Sequence, residues 1–156
     1  MVPTCTVRHD RPAHTRPPGT LPRMGTSSTD VFDSDDAADF MGDLAESADA
    51  AAFLHVAMSA VLEQDGYVES PEMGAGLAAA VLVACATGGV RPADLTAQDV
   101  LDAGRVPDTA ALRELARAVL DRGLTDDDNE WAELWDEAGE LDAARADLRT
   151  SRALLG

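Results

Sequence analysis

The run S-P-E-M-G-A-G-L-A-A-A-V-L-V-A-C-A-T-G-G, residues 70 to 89, constrains this chain more than any other stretch. Between Met73 and Ala86 it carries no charged or amide side chain, so a helix built from it shows an apolar face at every rotation and has to be buried. Its punctuation predicts that helix. Ser70 offers a capping hydroxyl, Pro71 the fixed φ of a first helical turn, and Gly88 with Gly89 a left-handed stop. The run is shorter than the ~20 apolar residues that cross a bilayer, and Gly74, Gly76 and the alanines dilute its hydropathy. Its expected place is the centre of a helical domain, with small residues at 76, 80 and 84 letting neighbours come close.

The rest of the chain suits such a rod. Hydrophobic residues make up 46% of it, mostly Ala, Leu and Val, and aromatic residues only 4%, which favours helices packed through small side chains over an aromatic-rich sheet. The expectation is an all-α, single-domain bundle of about six helices around a buried Ala/Gly-rich central helix. A chain of 156 residues is long enough for one core and buries about two-thirds of the surface its unfolded form exposes.

Charge divides the chain in two. Residues 1–23 hold four Arg against Asp10, a net +3, while residues 24–156 hold eight Arg against 28 acids, a net −20. The first segment carries five prolines and no apolar periodicity or h-region, so it reads as a disordered basic tail or an over-extended start, with Met24 the expected true beginning; a basic arm folded on the acidic body is the rival. Residues 24–156 read as the acidic helical domain. Its charge repels phosphate, which argues against nucleic acid and anionic membrane as partners and for a basic protein. The chain has no lysine, and with its Ala, Arg, Asp and Gly bias this points to a GC-rich genome, adaptation to high salt being a second explanation. Cys5 and Cys85 form no disulfide framework, and a cytoplasmic protein is expected.

Periodicity places the other helices. A first runs from about 34 to 46, capped by Asp33 with Phe32 stapled to Ala37, and buries Ala37, Phe40, Met41 and Leu44. Asp49 caps a second, with Phe53, Ala57 and Val61 beside Leu54, Met58 and Leu62, His55, Ser59 and Glu63 opposite, and Gly66 at its end. Thr96 caps a short helix reaching about Ala103. Pro107 or Asp108 opens the next, whose stripe is Leu112, Leu115, Ala116, Val119 and Leu120, with Arg117 paired to Glu114 and Asp121 and Gly123 closing it. Thr125 and Asp128 form a capping box for the last region, striped by Trp131, Leu134, Trp135, Ala138 and Leu141 and bent or divided at Gly139. Arg145, Arg149 and Arg152 favour its C-terminal dipole.

No constellation carries catalysis. Counted as an EF-hand from Asp126, the run Asp126, Asp127, Asp128, Asn129, Glu130 puts Trp131 where the glycine belongs, and from Asp33 both the sixth and the twelfth positions fail. His55 has no second imidazole or thiolate at helical spacing, Cys85 sits in an apolar run without a base, and the Trp131–Trp135 pair reads as core. No cofactor is expected.

Residues 25–40, G-T-S-S-T-D-V-F-D-S-D-D-A-A-D-F, resemble the opening of a bacterial family known as domain of unknown function 4259, whose members begin with a pattern like G-x-W-G-x-G-x-F-D-N-D-x-A-x-D-F. Gly25, Phe32, Asp33, Asp35, Ala37, Asp39 and Phe40 match, while Ser27 stands where the tryptophan would be. Tyr67 to Glu72, Y-V-E-S-P-E, is a second match leading into an alanine-rich helix. The resemblance implies a start at Met24 and an N-terminal segment packed on the bundle, and it brings no activity with it. From the residues themselves the leading expectation is a non-catalytic acidic module that binds a basic protein, in the manner of an immunity or antitoxin protein. Asp35, Asp39 and Asp43 are its contact row at i, i+4 and i+8. The alternatives are a divalent-metal enzyme using Asp33, Asp35, Asp36 and Asp39, and a housekeeping protein whose acidity is genomic bias.

Overall fold

The computed structural model describes residues 29–156, and the expectations placed on residues 1–28 lie outside them. A 3-10 turn, Val31–Asp33, leads into seven α-helices: α1 (Asp35–Glu46), α2 (Ala50–Leu62), α3 (Ser70–Gly88), α4 (Leu95–Asp102), α5 (Ala110–Thr125), α6 (Glu130–Glu137) and α7 (Leu141–Ala153). The described residues are all-α, with one isolated parallel bridge between Val68 and Asn129. The seventh helix exists because Gly139, at φ 73, ends one helix where a side chain at Cβ would be strained, and the chain restarts at Leu141.

The Ser70–Gly88 helix is the centre of the bundle. Met73, Gly74 and every residue from Gly76 to Cys85 are buried, under α1, α2, α5, α6 and α7. The helix spans 19 residues and has the length and composition of a membrane-crossing segment, which corrects the expectation that the run is too short; two-thirds of its most apolar window is covered by the rest of the bundle. Small residues set how closely that cover sits. A Cβ on Gly76 would meet Val61 Cγ2 at 2.3 Å, so α2 rests on the bare backbone of α3. Gly123, expected to close α5, lies buried inside it, where a Cβ would come within 2.9 Å of Leu148 Cδ1 and 3.1 Å of Leu77 Cδ2. Its role is to let α3, α5 and α7 meet.

Most helix starts shift by one or more residues from their expected caps. Asp33 closes the 3-10 turn that Asp30 caps, and Ser34, in extended backbone, accepts from Ala37 N–H instead. Ser70 is already helical and cannot cap, because a capping residue needs extended backbone; that position falls to Glu69. Asp94 rather than Thr96 caps α4, and Thr109 rather than Pro107 or Asp108 caps α5. At α6 the cap is Asn129, whose Oδ1 accepts from Ala132 N–H at 2.8 Å, while Thr125 bonds back to the Asp121 carbonyl. Asp49 caps α2 as expected.

Several arginines of the described residues tie segments of the bundle together. Arg117 pairs with neither Glu114 nor Asp121; it donates to the Leu155 carbonyl, and Asp121 pairs with Arg152 at 2.8 Å. Arg145 reaches the Gly123 and Asp126 carbonyls and the Asp127 carboxylate. Trp131 is core at 7% exposure and Trp135 is half-buried, but Leu134 faces outward at 51%.

Candidate partner-binding face

The sequence between residues 24 and 90 contains twelve acids and no lysine or arginine. It builds the 3-10 turn and α1 to α3, so one half of the bundle has no cation of its own to answer its carboxylates. The body's eight arginines all follow residue 90. Five of them form ion pairs there, with Asp102, Asp108, Asp126, Asp127 and Asp121.

Helix α1 presents the uncompensated charge. Its apolar stripe, Ala37, Phe40, Met41 and Leu44, turns inward, which fixes Asp35, Asp39 and Asp43 on the outer side, and all three are exposed. Among the described residues none of the three makes an ion pair. At four-residue spacing they repel one another by a few tenths of a kcal/mol per pair.

Two of them edge a groove. Asp39 and Asp43, with Asp36, form the α1 wall of a depression of about 360 Å³ whose other lining is Phe40, Phe53, Val56 and Ala57, with Pro71 and Ala75 from the start of α3. Asp35 lies outside that lining. The floor is a stacked pair, Phe40 on Phe53, with ring centroids 5.4 Å apart and planes 22° from parallel. Val56, on α2, stands 65% exposed beside it. Sequence reading passed over Val56 because it falls outside both apolar rows of α2, and the groove itself exists only once α1 and α2 are side by side.

Asp36 behaves differently from its neighbours. Half-buried, its Oδ2 accepts a hydrogen bond from Ser70 Oγ at 3.2 Å, and the absence of a side chain at Gly74 leaves room for its Cβ. This contact joins the segment around residues 25–40 to the Tyr67–Glu72 segment, the two stretches singled out in the sequence. The second stretch is also tied to α6: Tyr67 Oη donates to Glu133 at 2.9 Å, Ser70 N–H donates to Glu130 at 2.7 Å, and Val68 pairs with Asn129. Desolvation, and then the carboxylate it bonds, push the Tyr67 phenol up to about 12.

Other sites are poorer in chemistry. Asp33, Asp35, Asp36 and Asp39 do not converge, and among the described residues no three His, Cys, Asp or Glu side chains come together to hold a metal ion. His55 is exposed, 3.3 Å from Ser59 Oγ. A cavity of about 220 Å³ is lined by Asp30, Val31, Phe32, Val81, Cys85, Pro92, Asp147, Leu148 and Ser151, and Thr29 donates to Asp147 at its edge. Burial raises the Asp30 carboxyl and, with Asp30 adding to it, pushes the Cys85 thiol up to about 11. That is the reverse of nucleophile activation.

No curated protein and no solved structure matches the chain. A family model does, over residues 25–147, which takes in both stretches and everything from the 3-10 turn to the middle of α7. That match covers well over half the sequence, and the chain belongs to the family described as a domain of unknown function (DUF4259).

Proposed function

We propose that this protein is a non-catalytic acidic interaction module of the cytoplasm that binds a basic protein through the outer face of α1, in the manner of an immunity or antitoxin protein. The observation that carries the reading is the charge segregation: twelve acids and no cation across residues 24–90, with Asp35, Asp39 and Asp43 exposed in one row. Repulsion along that row is a cost in the free protein that a cationic partner relieves, and the acidic field speeds encounter with such a partner. Genomic bias accounts for the number of acids and not for the absence of any cation beside them over residues 24–90, since the same bias supplies the eight arginines that follow.

The test is an Asp39→Lys variant. Wild-type protein used as bait in extract from its own host captures a basic protein whose association rate falls as salt rises, and the variant binds that protein at least tenfold more weakly. Calorimetry with Mg²⁺, Ca²⁺ and Mn²⁺ runs alongside. Stoichiometric binding of one of these ions, lost in the variant, would replace the interaction reading with a metal site, and undiminished capture by the variant would remove α1 from it.

A further inference from the structure

The groove beside the acidic row has a feature that charge alone does not require. A surface that only attracts cations gains nothing from an exposed aliphatic side chain, yet Val56 stands beside the acids with the stacked Phe40–Phe53 pair beneath it. One wall is acidic and the other apolar. Asp36 and Asp43 are seven residues apart on α1, about 10 Å or two turns, and Asp39 lies between them. A helix laid along the groove meets that spacing with cations two turns apart and an apolar side chain between them.

We infer that the groove between α1, α2 and the start of α3 seats a basic amphipathic helix of a protein partner, inserting one apolar side chain against Phe53, Val56 and Ala57 while its flanking cations, two turns apart, pair with Asp36 and Asp43 on either side of Asp39. The inference rests on the interaction reading and specifies what that partner presents. Charge complementarity selects this occupant. A second copy of the chain would bring another net −20 body to an acidic rim, and residues 1–23, though basic, contain five prolines and no apolar run to form such a helix.

Two synthetic 14-residue helical peptides of equal positive charge test it on the full chain. One has Arg at i and i+7 with Leu between them, and the other has Ser in place of the Leu. Fluorescence anisotropy at physiological salt is expected to show the Leu peptide binding at least tenfold more tightly. Val56→Ser, a change at an exposed position, should remove that advantage, and Asp39→Lys should weaken both peptides. If the two peptides bind wild type equally and both weaken with Asp39→Lys, the apolar seat is wrong and the acidic-face reading stands. If neither binds even at low salt, both fail. A Leu advantage that survives Val56→Ser puts the seat elsewhere and overturns the inference, as does self-association in sedimentation that Val56→Ser abolishes, which would give the groove to a second copy.

Discussion

Arg122 shows how far a single side chain can act in this bundle. From α5 it donates to the carbonyls of Val61, Gln64 at 2.7 Å and Gly66 at 2.8 Å, and its Nε reaches Asp126 at 3.1 Å. It thereby satisfies the Val61 carbonyl in the last turn of α2 and two carbonyls of the loop that follows. Arg122→Ala is expected to cost about 2 kcal/mol in urea unfolding, and Arg122→Lys to recover little of it, because one ammonium cannot span a fork of four acceptors. The same network sets a pH dependence. The Asp128 N–H, followed by Arg122 and Arg145, holds the Asp126 carboxyl below its ordinary 3.8. Its stabilisation is therefore complete above pH 3.8 and lost as pH falls through the lower folded value, so the stability gap between wild type and Asp126→Asn should close on acidification. A gap that is constant with pH would mean that the charge of Asp126 contributes nothing. Only the Arg122–Asp126 pair, at i, i+4, is legible in the sequence; the carbonyl contacts, 56 to 61 residues away, are not. Helical spacing offers Arg117 to Glu114 and Asp121, whereas its partner is a carbonyl 38 residues away.

Elements were read more securely than their ends. The absence of polar side chains from Met73 to Ala86 marked α3 as a helix that has to be covered, here by the bundle, and the apolar stripe of α1 fell inward as spaced, while those of α2 and α5 did so in part, with Phe53, Ala57, Leu62 and Leu115 half-buried. Caps slipped because runs such as D-S-D-D and T-D-D-D-N offer several competent oxygens, and which is used depends on where the chain enters the turn. The close approach at Gly76 yields a sharp expectation. Gly76→Ala gains helix propensity of up to ~1 kcal/mol, but its Cβ would overlap the stiff Val61 side chain and press on the Ala57 carbonyl, so net destabilisation of about 2 kcal/mol is expected. Adding Val61→Ala should restore part of it, whereas a variant as stable as wild type would mean α2 can lift from α3 at no cost. On α1 the sign is opposite. Asp39→Lys replaces two like-charge contacts with Asp35–Lys and Lys–Asp43 pairs at i, i+4, and should raise the melting temperature by a few degrees even as it weakens binding. Asp35 is the wrong residue for that reversal, because it sits in the first turn, where the dipole favours an acid.

Across the whole molecule the charges form two populations that salt affects in opposite directions. Residues 91–156 hold the five ion pairs, mostly partly exposed, and screening weakens each by a fraction of a kcal/mol. Residues 24–90 hold twelve acids with no cation, and screening relieves their mutual repulsion. The cation-free run is legible in the sequence; the packing adds that Arg105 and Arg122 reach back to the Ser47, Val61, Gln64 and Gly66 carbonyls of that half without pairing with any of its acids. Exposed ion pairs contribute little each, whereas a like-charged field accumulates over every pair within about a Debye length, so repulsion should dominate. The melting temperature is accordingly expected to rise by several degrees between 0.05 and 0.5 M NaCl, and by less in Asp39→Lys, where the row is already broken. Sodium sulfate raises the stability of most proteins by exclusion from their surfaces, so the comparison belongs in chloride and at constant pH. A melting temperature that falls with chloride in both proteins would show that the ion pairs of α5 and α7 outweigh the acidic half, and would leave the row on α1 without the repulsion that a basic partner is proposed to relieve.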